Sequence, residues 1–368
     1  MNWQLAGWRK RLLGLFLVVG VALWFFMGHN QRLYQKPIAR VEAAQTVKTT
    51  RVKDQFENVD YQITQRLKLR LLNGTYRGKR LTVTNTYTKS QGLDQAYKKG
   101  SQVFLTQLVK KHGRLTAEVS GYKRDRPLVM LAWLVMMLLI LTLGTAGSLA
   151  LASVLLNVLL FVIAIEVDLK FQDWNAFWIF AILALCFAAA SLVIVLGPTK
   201  KMLATLAATI LATAVAVGLS ALVITWTGAR GVYYESMQYV TQVPRPLFLA
   251  ETLLGSLGAV MDEASDIVAT LFELKTLDPD VSFGQLFWSG RNVGKSIMGP
   301  LVNVLFMIFL ADTFTSALMY LKNGNSLAYT FNMNMSLGTV QSLISGIGIV
   351  LAVPLVSLFA AILLGRRG

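Results

Sequence analysis

The pattern of apolar and polar positions changes character along the chain. From 12 to 27 nearly every residue is apolar, behind the basic triplet Arg9-Lys10-Arg11. A helix needs about 20 such residues to cross a bilayer, so this run predicts an N-terminal membrane anchor. It has the form of a signal sequence, but Gly28-His29-Asn30-Gln31 offers no small-residue cleavage motif, which favours a retained anchor over a cleaved leader. The next stretch has a period of two. Tyr61, Ile63, Leu67, Leu69 and Leu71 fall on alternate positions, with Gln62, Thr64, Arg66, Lys68 and Arg70 between them. That is the signature of a half-buried strand. Asn73-Gly74 and Gly78 supply turn residues, and Leu81, Val83 and Tyr87 alternate with Thr82, Thr84 and Thr86 on a second strand. Val103-Leu105 and Leu115-Ala117-Val119 suggest two more, and together a small antiparallel barrel or sandwich.

Beyond 126 the apolar runs return. Segments near 127–143, 149–167, 174–196, 203–226, 300–321 and 340–364 predict six further spans, and 246–275, interrupted by acids, predicts an eighth. The expected fold is an all-α polytopic membrane bundle of about eight helices with a small extracytoplasmic β-rich domain. Its divisions would be an anchor (1–28), a basic β-rich domain (29–126) and a seven-helix membrane domain (127–368).

Composition agrees. Apolar types make up 55% of the 368 residues and charged types 15%, with a mean hydropathy of +0.54. Soluble domains carry about 25% charged residues. The net charge of +16 is concentrated: residues 28–126 hold 21 Lys and Arg against 7 Asp and Glu, whereas residues 127–368 hold 11 against 12. Short loops rich in Lys and Arg face the cytoplasm. With the N-terminus inside, Lys200-Lys201, Arg291, Lys295 and Arg366-Arg367 all fall inside, provided 246–275 spans. The expected location is therefore the cell membrane, with both termini cytoplasmic and 29–126 outside. One cysteine (Cys186, within an apolar span and expected to be inert packing) and two histidines (His29, His112) are too few for a zinc cluster or disulfide, and no His-based triad is assembled. No metal, cofactor or enzymatic activity is expected.

The basic outer stretch places Arg66, Lys68 and Arg70 on one strand face, with Lys79, Arg80, Lys98, Lys99, Lys110 and Lys111 elsewhere in the domain. Such a face fits anionic lipid or a phosphate-rich cell-wall polymer. It equally fits a solvated face that keeps the domain soluble. Nucleic acid is not an expected partner, since no stacking aromatics are interleaved with the basic residues.

At 100° per residue Glu251, Gly255, Gly258, Asp262, Ser265, Asp266, Ala269 and Glu273 share one side of a helix, and Leu249, Leu253, Val260, Ala264, Ile267 and Leu271 the other. A carboxylate at membrane depth costs roughly 2.5–3.5 kcal/mol on insertion scales and normally faces protein or water. Glu251, Asp262 and Asp266 are thus candidate cation or proton sites; the alternative is a wet amphipathic helix past the membrane edge, carrying Asp262, Glu263, Asp266 and Glu273. Glycines Gly255 and Gly258, and later Gly290, Gly294 and Gly299, are candidate helix-packing positions. Asn292, Ser296, Gly299 and Asn303 recur along one side of another helix, where Pro300 would free the carbonyl of Ser296. These residues suit a solute or ion site, or interhelical hydrogen bonding. Asp312, beside Thr313, Thr315 and Ser316, is a further polar group in an apolar run, a candidate ion-site or proton-relay member or else a residue near the outer boundary. The segment 289–296 nearly spells a phosphate-binding loop, but no strand precedes it and a nucleotide site is not expected. Arg291 and Lys295 instead suggest a cytoplasmic boundary, or partners for Asp262, Glu263 or Asp266.

Gly255-Ser256-Leu257-Gly258-Ala259-Val260-Met261-Asp262, followed by Ala264, Asp266 and Glu273-Leu274, together with 289–295, Gly299 and Asn303, resembles the YibE/F-like family. The resemblance implies a multi-pass bacterial membrane protein of the longer type, with an anchor and an extracytoplasmic domain, and supplies no substrate. The family pattern leads one to expect alanine at Ser256 and a less acidic stretch after Asp262, where this chain has Glu263 and Asp266.

The leading expectation is a permease for a small solute or ion, coupled to a cation or proton. Glu251 and Asp262 would hold the coupling ion, while Asn292, Ser296 and Asn303 would meet solute or ion. The alternative is a non-transporting envelope protein whose basic domain holds anionic lipid or wall polymer. Expected partners are the bilayer, such an anionic lipid or polymer, and a related membrane protein or a second copy of the chain.

Overall fold

The structure, a computed structural model, describes residues 2–92, 94–111, 114–171, 175–237 and 243–364. The chain forms two compact units, 1–147 and 148–368. In the first, helix α1 (Asn2–His29) leads through a short 3-10 turn into five strands: β1 (Ile38–Lys53), β2 (Val59–Leu71), β3 (Arg80–Thr88), β4 (Gln102–Lys111) and β5 (Arg114–Tyr122). Helix α2 (Asp125–Leu143) follows. The sheet is antiparallel throughout in the order β3-β2-β1-β4-β5, and β3 and β5 approach one another at its edges.

The period-2 stretch is β2, with Leu67, Leu69 and Leu71 buried and Arg66, Lys68 and Arg70 exposed between them. Ala39, Val41, Leu81, Val83, Val103, Leu105 and Tyr97 close the core around them. Strand β1 has no counterpart in the sequence reading. Bulges between Val41 and Ala43 and between Thr46 and Lys48 shift its parity, so its inward residues do not alternate along the sequence.

Asn73, read from sequence as a turn residue, is buried and stitches the 30–37 linker to the sheet. Its amide nitrogen donates to the carbonyls of Gln31, Tyr34 and Lys36 at 2.9, 3.0 and 3.0 Å, and its oxygen accepts from the Ile38 amide at 2.6 Å. At the β5–α2 junction Lys123 Nζ donates to both Asp125 oxygens and to the Met27 carbonyl, each at 2.8 Å. Tyr34 and Asn30 also donate to Asp125. Helices α1 and α2 lie together, with Trp133 Nε1 donating to the Phe16 carbonyl.

The second unit is helical: α3 (Thr145–Lys170, whose first turn belongs to the first unit), α4 (Ala176–Leu196), α5 (Lys200–Trp226), α6 (Pro244–Leu277), α7 (Phe283–Lys322) and α8 (Leu327–Leu364, with a π-helical turn at Phe331–Met335). Pro244 starts α6, where a missing N–H is harmless, and Ser282 caps α7 in a reciprocal capping box with Gln285. Among the described residues, seven helices are long and apolar enough to cross a membrane, and α6, with its acids, is not one of them. Helices α7 and α8 begin well before the apolar runs at 300–321 and 340–364.

Candidate functional site

Helix α6 packs against α4, α5, α7 and α8. Its innermost stripe runs Thr252, Ser256, Val260, Glu263, Ile267, Leu271, spaced by three or four residues and fully buried at every position. A carboxylate thus occupies a place where helical geometry calls for an apolar side chain. Neither oxygen of Glu263 has a hydrogen-bond partner among the described residues. Thr252 and Ser256 on the same stripe satisfy their hydroxyls by donating to carbonyls of their own helix, Phe248 and Leu253. Glu263 has no such hydrogen bond.

Helix α5 presents the facing wall. Ala204, Thr205, Ala208, Thr209, Ala212, Thr213 and Ala216 are buried along it. Such small side chains let helices approach closely. Thr205 donates to the Lys201 carbonyl at 2.9 Å, but the buried hydroxyls of Thr209 and Thr213 have no partner among the described residues. Arg245, at the start of α6, donates to the Ala221 carbonyl and the Thr225 hydroxyl near the end of α5. Near the other ends, the Lys201 ammonium lies 5.4 Å from the Phe272 ring centre. The two helices therefore run antiparallel.

Their register is fixed where α8 joins them. A Cβ built on Gly348 would stand 2.8 Å from Val260 Cγ2 and 3.6 Å from Ala216 Cβ, so these three positions share a level. One turn from it lie Glu263 on α6 and Thr213 on α5, with Thr209 a turn further. Three unpartnered buried polar side chains thus occupy neighbouring levels of one helix pair. The surrounding wall is apolar: Ala208, Ala212, Ala264, Ile267, Ala352 and Val356 belong to the same cluster. Burying a polar group without a hydrogen bond costs roughly 2–7 kcal/mol, more for a charge, so a species that supplies positive charge and donors would stabilise this arrangement.

Glu251, Asp262 and Asp266 lie on the opposite, exposed side of α6. Asn292, Ser296, Asn303 and Asp312 are exposed on α7, and Ser296 donates to the Val293 carbonyl of its own helix at 2.6 Å. No hydrogen bond or ion pair among the described residues joins any two of these seven. Thr313 and Ser316 meet the π-helical turn of α8: Ser316 Oγ and Asn334 Oδ1 are 2.7 Å apart, and Asn334 donates to the Thr313 carbonyl at 3.2 Å.

The glycines divide. A Cβ on Gly290 would stand 2.9 Å from Leu271 Cδ1, and one on Gly294 2.5 Å from Val353 Cγ1, so α7 needs both to reach its neighbours. Gly255 faces the Gln341 amide at 3.0 Å. Gly258 and Gly299 meet open space, so the expected packing role fails there for want of a neighbour. Arg291 lies over the Trp288 and Phe287 rings and forms no ion pair with Asp262, Glu263 or Asp266. The loop-like segment 289–296 is helical throughout, leaving its amides to the helix. Cys186 is exposed on α4, a correction to its expected packing role.

Residues 131–366 match the model for the YibE/F-like protein family, and residues 32–122 match that for the YibE/F family N-terminal domain. The chain belongs to the YibE/F-like family. No curated protein and no solved structure matches it. In this YibE/F-like chain both α6 and the Glu263 level lie within the matched membrane region, and the five-stranded sheet lies within the matched N-terminal domain.

The sequence reading missed Glu263, Thr209 and Thr213. For Glu263 the signal was present: it is three residues from Val260 and four from Ile267, both on the apolar side. Its acidic neighbours Asp262 and Asp266 masked that spacing. The threonines were hidden by their similarity in size and spacing to the alanines around them.

Proposed function

We propose that this protein is a permease of the bacterial cytoplasmic membrane that moves a small solute or ion, with a cation or proton bound at Glu263 in each cycle. The observation that carries this reading is a fully buried carboxylate on the innermost stripe of α6 with no partner among the described residues. Ionisable groups in that situation mark ion and proton paths in membrane proteins, because each passing charge relieves the cost of burying the site. Thr209 and Thr213 supply further oxygen atoms at neighbouring levels of the facing helix.

In this reading α6 is the eighth span. Its 34 residues amount to about 51 Å, more than the thickness of a bilayer core. Both termini are then cytoplasmic, and the five-stranded domain lies outside. The exposed acids Glu251, Asp262 and Asp266 and the polar stripe Asn292, Ser296 and Asn303 turn toward water or a protein neighbour, since acyl chains would disfavour them. A second copy of the chain or a related membrane protein is a natural neighbour for these faces.

Reconstituting the full chain in liposomes and screening proton, sodium and potassium flux with entrapped dyes tests this proposal. Wild type is expected to carry one of the three several-fold faster than empty liposomes, and Glu263→Gln to fall to the empty-liposome rate. Equal flux through both proteins would point to a structural role for the stripe and favour a non-transporting envelope protein.

A further inference from the structure

The sheet carries a second feature, independent of Glu263. Arg40 on β1 pairs in register with Arg70 on β2, and Arg70 pairs with Arg80 on β3. Paired residues of an antiparallel sheet point to the same face. All three are exposed, while Ala39, Val41, Leu69, Leu71 and Leu81 beside them are buried. Three arginines therefore stand side by side across three strands, about 10 Å from first to last. Like charges directly opposite one another are destabilising in a sheet, so cross-strand pairing does not favour such a row. Lys68 and Arg66 extend the exposed face along β2. The acid that meets the row is Glu42, 2.8 Å from Arg80 Nε, and a groove of about 720 Å³ beside it is lined by Lys68, Lys79, Arg80 and Lys110 as well as Glu42.

The row also has a definite position along the strands. Arg40 pairs on its other side with Gln102 of β4, and the Gln102 side chain donates to the Gly28 carbonyl at the end of α1 at 3.1 Å. Helix α1 is long and apolar enough to span a membrane and ends within this turn. The row thus begins beside the C-terminal end of α1; with α1 spanning, that end is where the anchor would leave the hydrocarbon, close to the level of lipid phosphates. Guanidinium groups match phosphate oxygens in bidentate geometry.

We propose that Arg40, Arg70 and Arg80 form a binding site for the phosphate groups of anionic phospholipid in the leaflet from which α1 emerges. The position of the row selects lipid over a soluble polyanion, because a free polymer would have no reason to be met at the root of the anchor.

The test uses the detergent-solubilised full chain offered equal amounts of phosphatidylglycerol and phosphatidylcholine, with bound lipid counted by native mass spectrometry. Wild type is expected to retain phosphatidylglycerol several-fold over phosphatidylcholine. The triple variant Arg40→Gln, Arg70→Gln, Arg80→Gln should bring that ratio close to one. A control triple variant with the same charge loss at the far end of the domain, Lys48→Gln, Arg51→Gln, Lys89→Gln, should keep it. Equal losses in the two triple variants, or no preference in wild type, would overturn the site. Displacement of the bound lipid by short-chain polyphosphate in the buffer would assign the row to a soluble polyanion and overturn it too. Should the first triple variant fold poorly, the three single variants decide: graded losses support the site, and three unchanged ratios contradict it.

Discussion

Val260 and Gly348 meet at the point where α5, α6 and α8 converge, and a single added methyl group at 348 would come within 2.8 Å of Val260 Cγ2. The close approach sets the level at which Glu263 is enclosed. Overpacking a filled core costs typically 1–3 kcal/mol, so Gly348→Ala should lower the stability of the helical unit by about that amount. Thermal unfolding in detergent checks it. Val260→Ala in the same chain should restore much of the loss, because it removes the atom that the new methyl meets. Additive losses in the double variant would mean that the contact is not the cause.

The junction of sheet and helices in the first unit depends on Lys123 and Asp125. The Lys123 side chain is 2% exposed and its ammonium meets Asp125 at 2.8 Å. Removing one member of a buried pair leaves an uncompensated charge, typically at a cost of about 3–5 kcal/mol. Asp125→Asn should therefore destabilise the first unit markedly in chemical unfolding, whereas the double variant Lys123→Met, Asp125→Asn should lose less than the sum of the two single variants. Strict additivity would contradict a coupled pair.

Asn73 makes four hydrogen bonds with the backbone around it. Leaving buried partners unsatisfied costs about 1–3 kcal/mol per group, so Asn73→Ala should be among the most damaging changes in the domain. Asn73→Asp is expected to be no better, since an ionised carboxylate would face three carbonyl oxygens. Limited proteolysis of the 30–37 linker would read both. A stable Asp variant would show that the donor side of the amide matters little.

Asp60, at the start of β2, accepts from the Ser90 hydroxyl, and this hydrogen bond, with those from nearby backbone amides, holds its carboxyl below the usual aspartate range. A carboxyl with a depressed pKa in the folded state contributes stability above its unfolded pKa and loses it as pH falls through the folded value. Stability of the domain should therefore fall on acidification below about pH 4, where an unperturbed aspartate begins to take up its proton. Ser90→Ala should flatten that part of the profile. Parallel profiles for the two proteins would remove Ser90 from the account.

The parts of this architecture that were legible in the sequence are those governed by one unbroken period. β2 kept strict alternation from Arg66 to Leu71, and the apolar runs were long enough to name the helices of the second unit other than α6. β1 was illegible because two bulges reset its parity. Arg40 could not join Arg70 and Arg80 without the register that β1 supplies. In α6 the exposed acids drew the reading toward Glu251 and Asp262, although the spacing of Glu263 from Val260 and Ile267 marked it as the inward carboxyl. Thr209 and Thr213 become informative only when the hydrogen bonds they do not make can be seen.

Carbodiimide labelling of the carboxyls of α6 in the liposome-embedded full chain tests the central claim most directly. Dicyclohexylcarbodiimide partitions into apolar surroundings, so peptide mass spectrometry across Pro244–Leu277 should find the adduct on Glu263, with labelling slowed by the ion that the flux screen identifies and flux abolished as the adduct forms. An adduct confined to Glu251, Asp262 or Asp266, or a fully labelled Glu263 with flux unchanged, would contradict a coupling role for the buried carboxylate.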